Sequence, residues 1–402
     1  MLSGTFCLSS AEAKDDPPET TTELPTGVAV AVRDTFDIAD ALAGIDSRPI
    51  VLNKLQISAT IHGEALGLDG WHFHAQAIRV DGQTLSGRLG DIQTADNIEA
   101  PHALRLFEAY LARSFGAKVH PVYLRAGMID LNSQFDSTDP ASLMINSSHG
   151  IAPDLSKSGV NGPSIFPFAS IGTTATWAIS PVVTLRAGVF DGEAGNPAKP
   201  HAFIAARLRP SNGVLAIGQV DWSISKEARL EAGMWEYSAA QKGPDGKYAY
   251  DHGAYISYEM PLPGAEKTQL WVRLGGANPA AQAVRVYIGG GVVRRAPLRS
   301  RPDDRLGIAI AHAIVSDRAV ARLGLRNAET SLETTYQLKL SNRFVLQPDL
   351  DFIHHPAAAP QIENSLSFVL RFAFAIAAPA RMQASDPGDP TVPPDGGGSD
   401  SN

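Results

Sequence analysis

Along most of this chain apolar and polar residues alternate with a period of two, in runs of about ten residues. The clearest run sets Leu366, Phe368, Leu370, Phe372, Phe374 and Ile376 against Ser365, Ser367, Val369, Arg371, Ala373 and Ala375. Val122, Leu124, Ala126 and Met128 oppose Tyr123, Arg125 and Gly127 in the same way, and Phe344, Leu346, Leu350 and Phe352 oppose Gln347, Asp349 and Asp351. Successive strand side chains point to opposite faces, so each run predicts a strand with one apolar face. Helical spacing is confined to a short piece near Ile38 to Leu42, and the stretch Ala103 to Phe115 is a strand of ambiguous phase.

No run of about 18 apolar residues exists, which excludes a membrane-spanning helix and leaves a spanning β-barrel open. A soluble β-sandwich also alternates. Two features favour the barrel. The runs have the length of a tilted membrane strand, and their non-apolar faces carry Arg, Glu, Lys and Asp together with aromatics, as a wet lumen requires.

Connection lengths also alternate. Residues 116–118, 180–181, 223–227 and 341–342 are short links, whereas 82–101, 130–170, 239–249, 317–330 and 354–363 are long. Outer-membrane barrels have short turns on the inner side and long loops outside. Two long loops must enclose an even number of strands, yet five runs lie between 170 and 239. The weakest, 200–210 (PHAFIAARLRP), is flanked by prolines and reads as an external loop. Its removal leaves five strands before residue 130, four up to 239 and seven after, an antiparallel transmembrane barrel of sixteen strands.

The stretch Asp130 to Phe168 has neither period. It is rich in Asn, Ser, Asp, Pro and Gly and carries Phe135, Leu143, Met144, Ile145, Ile165 and Phe166. A long irregular insertion with buried-looking apolar residues is characteristic of an ordered functional loop. The expected organisation is residues 1–27 as a clipped signal peptide or disordered N-terminus, 28–376 as the barrel with 130–170 as a constriction loop, and 377–402 as a disordered tail.

The formal net charge of −8 argues against nucleic acid as a partner. Cys7 is the one cysteine, so there is no intrachain disulfide and no cysteine-based zinc site. No cofactor, metal or catalytic site is expected: His354 and His355 are adjacent in a loop, His72 and His74 share a strand face without a third ligand, and no nucleophile elbow occurs.

Particular segments resemble the carbohydrate-selective porins of the OprB type. These are DLNSQF (130–135), MINSSHGIAPDLS (144–156), NGPSIFP (161–167), RAGMID (125–130), FDG (190–192), RPDD (301–304) and LQPDLDFI (346–353). Met128 stands where that family commonly has a polar or basic residue, and Asp351 where it often has Gln. The resemblance implies a sixteen-stranded porin in the outer membrane of a Gram-negative bacterium, with the third external loop folded into the lumen. It implies passive, sugar-preferring diffusion of small carbohydrates such as glucose, with membrane lipid and the barrel-assembly machinery as further partners. The alternative is a general or structural outer-membrane barrel without sugar selectivity, and association into a homo-oligomer is left open.

A sugar path needs hydrogen-bonding side chains in series and an apolar platform for the ring. The candidates are Asp130, Asn132, Asn146 and Ser147 in the loop, with Ser148 beside them, and Arg125, Arg186, Arg273 and Arg285 on the wall, with Arg371 as a further arginine. Trp71, Trp271, Tyr255 and Tyr287 are candidate platforms. The competing reading is that the loop residues bond their own backbone and that the arginines fill the lumen in ion pairs.

Overall fold

The computed structural model describes residues 27–378 except 117–119, 197 and 266. The expected N-terminal segment, apart from residue 27, the tail beyond 378 and most of the 116–118 link therefore lie outside the described residues.

Sixteen antiparallel strands form one sheet: β1 Val28–Ala43, β2 Ile50–His62, β3 Trp71–Gly82, β4 Ala103–Phe115, β5 Val122–Ile129, β6 Ser170–Ser180, β7 Val183–Asp191, β8 Val214–Ser223, β9 Arg229–Lys242, β10 Tyr248–Pro261, β11 Thr268–Ala277, β12 Val284–Arg295, β13 Arg305–Val315, β14 Ala328–Lys339, β15 Phe344–His354 and β16 Asn364–Ala378. Each strand pairs with its sequence neighbours, and β1 closes on β16 from Ala31 opposite Ala377 to Ala43 opposite Leu366. Closure leaves no unpaired edge, the condition for a sheet in lipid, and sixteen strands enclose an aqueous channel.

Residues 200–210 are not a strand, so the grouping into five, four and seven strands holds. Ile38 to Leu42 belongs to β1 rather than to a helix. Residues four apart share a face in both periods, so that pair could not separate them. The ambiguous phase of β4 has a structural cause. The register slips between Gln76 opposite Glu108 and Ala77 opposite Leu106, which makes Phe107 the extra residue of a bulge and turns both Phe107 and Glu108 inward.

The outward face is an apolar belt. Ile310, Leu332, Leu350 and Phe352 are each more than 40% exposed, whereas their inward neighbours Glu333, Asp349 and Asp351 are fully buried. Exposed Trp177 and Trp222 sit at the short-turn rim and Tyr248 and Tyr250 at the long-loop rim. These are the aromatic girdles of a membrane barrel.

Numbering the connections on the long-loop side in chain order, with 44–49 as the first and 83–102 as the second, the third, residues 130–169, folds into the barrel, and its apolar residues pack on the inner wall. Leu131, Phe135, Ile151 and Leu155 join Phe190, Leu215, Trp235, Tyr237 and Tyr255, while Leu143 and Met144 join Trp271 and Val293. Each such side chain removed from water contributes roughly 1.5–3 kcal/mol. The second long loop, 83–102, also turns inward and buries Leu85, Leu89 and Ile98 against β1, β2 and β16.

Candidate functional site

Irregular loops carry backbone N–H groups that the barrel ladder cannot satisfy, and a buried orphan donor is costly. Carboxylates on the inner wall accept them. Glu108 on β4 accepts from Asp130 at 3.0 Å, Glu259 on β10 from Asp139 at 2.9 Å, and Asp251 on β10 from Gly159 at 3.0 Å. Glu333 on β14 accepts from Ile145 at 2.5 Å and Asn146 at 3.2 Å. The second loop is held likewise, with Ile92 and Gln93 donating to Glu329 at 2.9 and 3.1 Å.

The arginines expected at the site take several positions. Arg273 on β11 is buried and bridges two loop carboxylates, Asp136 (2.7 Å) and Asp154 (2.6 Å). Burial pushes the Asp154 carboxyl up, and the Arg273 charge opposes that rise. Arg186 on β7 is 2.5 Å from Asp221 on β8. Arg125 on β5 lies between Tyr110 and Tyr123, 5.2 Å from each ring centre. Arg285 on β12 is 41% exposed and 3.8 Å from Asp317 in the seventh long loop.

Among the loop residues, Asn146 does two things. Its carbonyl oxygen accepts from Ser148 N–H and Oγ, and its amide nitrogen donates to Asp351 (3.0 Å) and Ser331 (3.3 Å) on the wall. Asn132 donates to the backbone carbonyls of Phe135, Asp136 and Gly150, and Asp130 accepts from the Asn132 N–H. Ser147 N–H donates to Thr94 O of the second loop at 2.9 Å. His149 packs edge-on against Trp271, 6.1 Å between rings, and burial pushes its pKa down to about 3, so it is neutral.

The loop packs on β4, β5 and β7–β13 and leaves a passage along β14, β15, β16, β1 and β2. The passage is one cavity of about 740 Å³. Its lining reaches from Ser341, Asn342 and Arg343 in a short turn to Thr84, Thr94 and Lys157 on the long-loop side. Asp130, Asn132 and Ser147 line it, whereas Asn146, Arg125, Arg186, Arg273 and Arg285 do not. Lys54, Gln56, Asn97, Gln337, Gln347 and Phe166 also line it, and the Lys54 ammonium stands 4.9 Å from the Phe166 ring centre. Trp271, Tyr255 and Tyr287 are buried in the loop–wall packing, and the aromatic residues lining the passage are Phe107, Phe166, Phe168, Phe344 and Phe374. Lys54 and Gln56 were visible by phase as inward residues of β2. What the sequence lacked was the knowledge that β2 borders the open side.

A closed barrel of sixteen strands with an apolar belt, aromatic girdles and an inserted third loop defines the porin class of outer-membrane channel. Residues 48–240 and 235–375 match the family described as carbohydrate-selective porin, OprB family. The chain belongs to that family. Its fold is similar to the high-pH structure of Pseudomonas putida OprB, with a TM-score of 0.77 and 16% identity over 87% of this chain and 94% of that one. It is also similar to the outer-membrane channel DcaP of Acinetobacter baumannii (TM-score 0.55, 8% identity, 90% and 99% covered). A triple-mutant porin of Rhodopseudomonas blastica gives a TM-score of 0.52 at 12% identity, with 87% and 100% covered. No curated protein sequence matches the chain.

Proposed function

We propose that this chain is a passive diffusion channel for small carbohydrates such as glucose. The observation that carries the reading is the cavity whose lining reaches from the short turn at residues 341–343 to Thr84, Thr94 and Lys157 on the long-loop side, walled by hydrogen-bonding side chains and phenylalanine rings. A sugar hydroxyl that leaves water unpaired costs roughly 1–3 kcal/mol. Gln56, Asn97, Asp130, Asn132, Ser147 and Gln347 supply partners in series, and Phe166 offers its face to the apolar side of the ring. A chain of weak sites releases solute as readily as it binds.

In this reading Asp130, Asn132 and Ser147 touch sugar, while Asn146 and Arg273 serve the path by pinning the loop. Arg125, Arg186 and Arg285 stand off it. Transport is passive because a closed barrel with an anchored loop offers one open path instead of two alternating ones. The barrel-assembly machinery inserts the chain and reads β16, whose outward face is Leu366, Phe368, Leu370, Phe372, Phe374 and Ile376.

Liposome swelling tests the reading with neutral sugars of graded size. Rates should fall with size from pentose to trisaccharide, and glucose should partly block ion current through single channels in planar bilayers. A well-refolded sample that gives neither conductance steps nor swelling rules the channel out.

A further inference from the structure

Charge is unevenly divided inside the barrel. The titratable groups lining the passage are Arg33, Lys54, Lys157, Lys339, Arg343 and Arg371 against the carboxylates of Glu99 and Asp130. This excess of cations lies within a chain whose formal net charge is −8. The imbalance follows from how the loops are held. Glu333, Glu329, Glu259 and Asp251 accept loop N–H groups, and Asp136 and Asp154 bridge Arg273, so these acids lie under the loops and outside the lining.

The cations are also ordered along the path. Lys157, in the third loop, stands at the outer mouth, where it donates to Thr94 Oγ1 at 3.2 Å. Lys54 stands at the level of Phe166, and Arg371, two strands along the same wall, binds Asp37 and Asp96 at 2.7 and 3.2 Å. Lys339 ends β14 at the inner rim, Arg343 sits in the next turn, and Arg33 lies on β1 opposite Ala375, close by. Counting Asp37 and Asp96 as well still leaves the cations ahead. Burial, followed by the Asp37 charge, holds the Asp96 carboxyl well above the ordinary carboxylate range. Burial likewise pushes Glu99 up to about 7. At neutral pH the Glu99 carboxyl is therefore only partly ionised.

We propose that the passage is anion-selective and that its substrates include acidic sugars bearing one carboxylate, such as hexuronates, which it admits in preference to cationic solutes of the same size. The inference rests on the sugar-channel reading above and names a further substrate class for the same path. A narrow channel whose lining carries an excess of one sign of charge concentrates the opposite ion and disfavours its own sign. The sugar carboxylate passes from Lys157 to Lys54 and then to the Lys339, Arg343 and Arg33 group, while its hydroxyls use the partners that serve glucose.

The test uses the full chain in planar bilayers. Reversal potentials are read in gradients of potassium chloride and of potassium glucuronate, and glucose block is read on the same channels. Chloride and glucuronate should each be more permeant than potassium. Lys54→Glu and Lys339→Glu should each lower the anion-to-cation permeability ratio at least about twofold. Lys157→Glu, on an exposed loop side chain, serves if either strand variant fails to refold. A channel that glucose blocks but that passes potassium better than either anion overturns this inference and leaves the sugar reading intact. A sample that never conducts overturns both. A ratio unmoved by all three substitutions removes the cation ladder as the cause and overturns the inference as well.

Discussion

Glu333 on β14 accepts the backbone N–H of Ile145 at 2.5 Å across 188 residues of sequence, and with it the N–H of Asn146. One wall carboxylate thus holds the tip of the third long loop against the far side of the barrel. Glu333→Ala leaves two buried donors without a partner, at a cost of roughly 1–3 kcal/mol each. The expected result is a lower thermal midpoint and faster proteolysis within residues 140–150. Single-channel conductance should rise as the tip moves away. Glu333→Gln, which keeps an accepting oxygen, should show a smaller change in all three.

Asp154→Ala removes one of the two carboxylates from buried Arg273. Breaking a buried ion pair by deleting one partner costs about 3–5 kcal/mol, and chemical unfolding in detergent should read a loss of that order. Gly275 gives an independent check. A Cβ at that position would collide with the Asp154 carboxylate and the Arg273 guanidinium. Gly275→Ala should therefore loosen the same loop without removing a charge, seen as faster amide exchange around residues 153–158.

The second long loop should respond to pH. Glu99 accepts the Ser86 N–H at 2.9 Å, and burial raises its pKa from 4.5 to about 7. The folded loop then binds a proton more tightly than the unfolded one. Its stability is full below the unfolded value and falls as pH rises from 4.5 to about 7, levelling off above. Limited proteolysis of residues 83–102 across that range should show increasing cleavage with pH. Glu99→Gln should flatten the profile, and an unchanged profile in that variant would assign the dependence to another group.

Ile310 lies on the outer face of β13, 49% exposed. In a bilayer, Arg on the lipid face of a barrel costs about 2–4 kcal/mol near the midplane. Ile310→Arg should lower folding stability in lipid vesicles by that order. Equal stability of this variant and the parent would count against burial of that face in lipid.

Phe166→Ala and Gln56→Ala test the sugar path itself. Each should weaken glucose block of ion current, the first by removing the ring platform and the second a hydroxyl partner. Each lost neutral hydrogen bond corresponds to about 0.5–1.5 kcal/mol, or roughly two- to tenfold in the blocking concentration. Asn146→Ala should alter conductance through the loop while leaving the glucose contacts in place.

The strands, their number, the place of the inserted loop and, outside the bulged β4, their inward and outward phase were legible in the sequence. They follow from the period-two geometry of a strand and from the parity of short and long connections, both local properties. Asp130, Asn132 and Ser147 were legible as loop residues because polar, turn-rich chemistry marks them. Lys54 and Gln56 were legible only as inward. The tertiary structure alone decided which wall the third loop covers and which stays open. That choice is made by contacts such as Glu333 with Ile145 and Arg273 with Asp154, between residues far apart in the chain. Alternation assigns a side chain to the lumen, but only the packed loop separates acids spent on its backbone amides from cations left facing the passage.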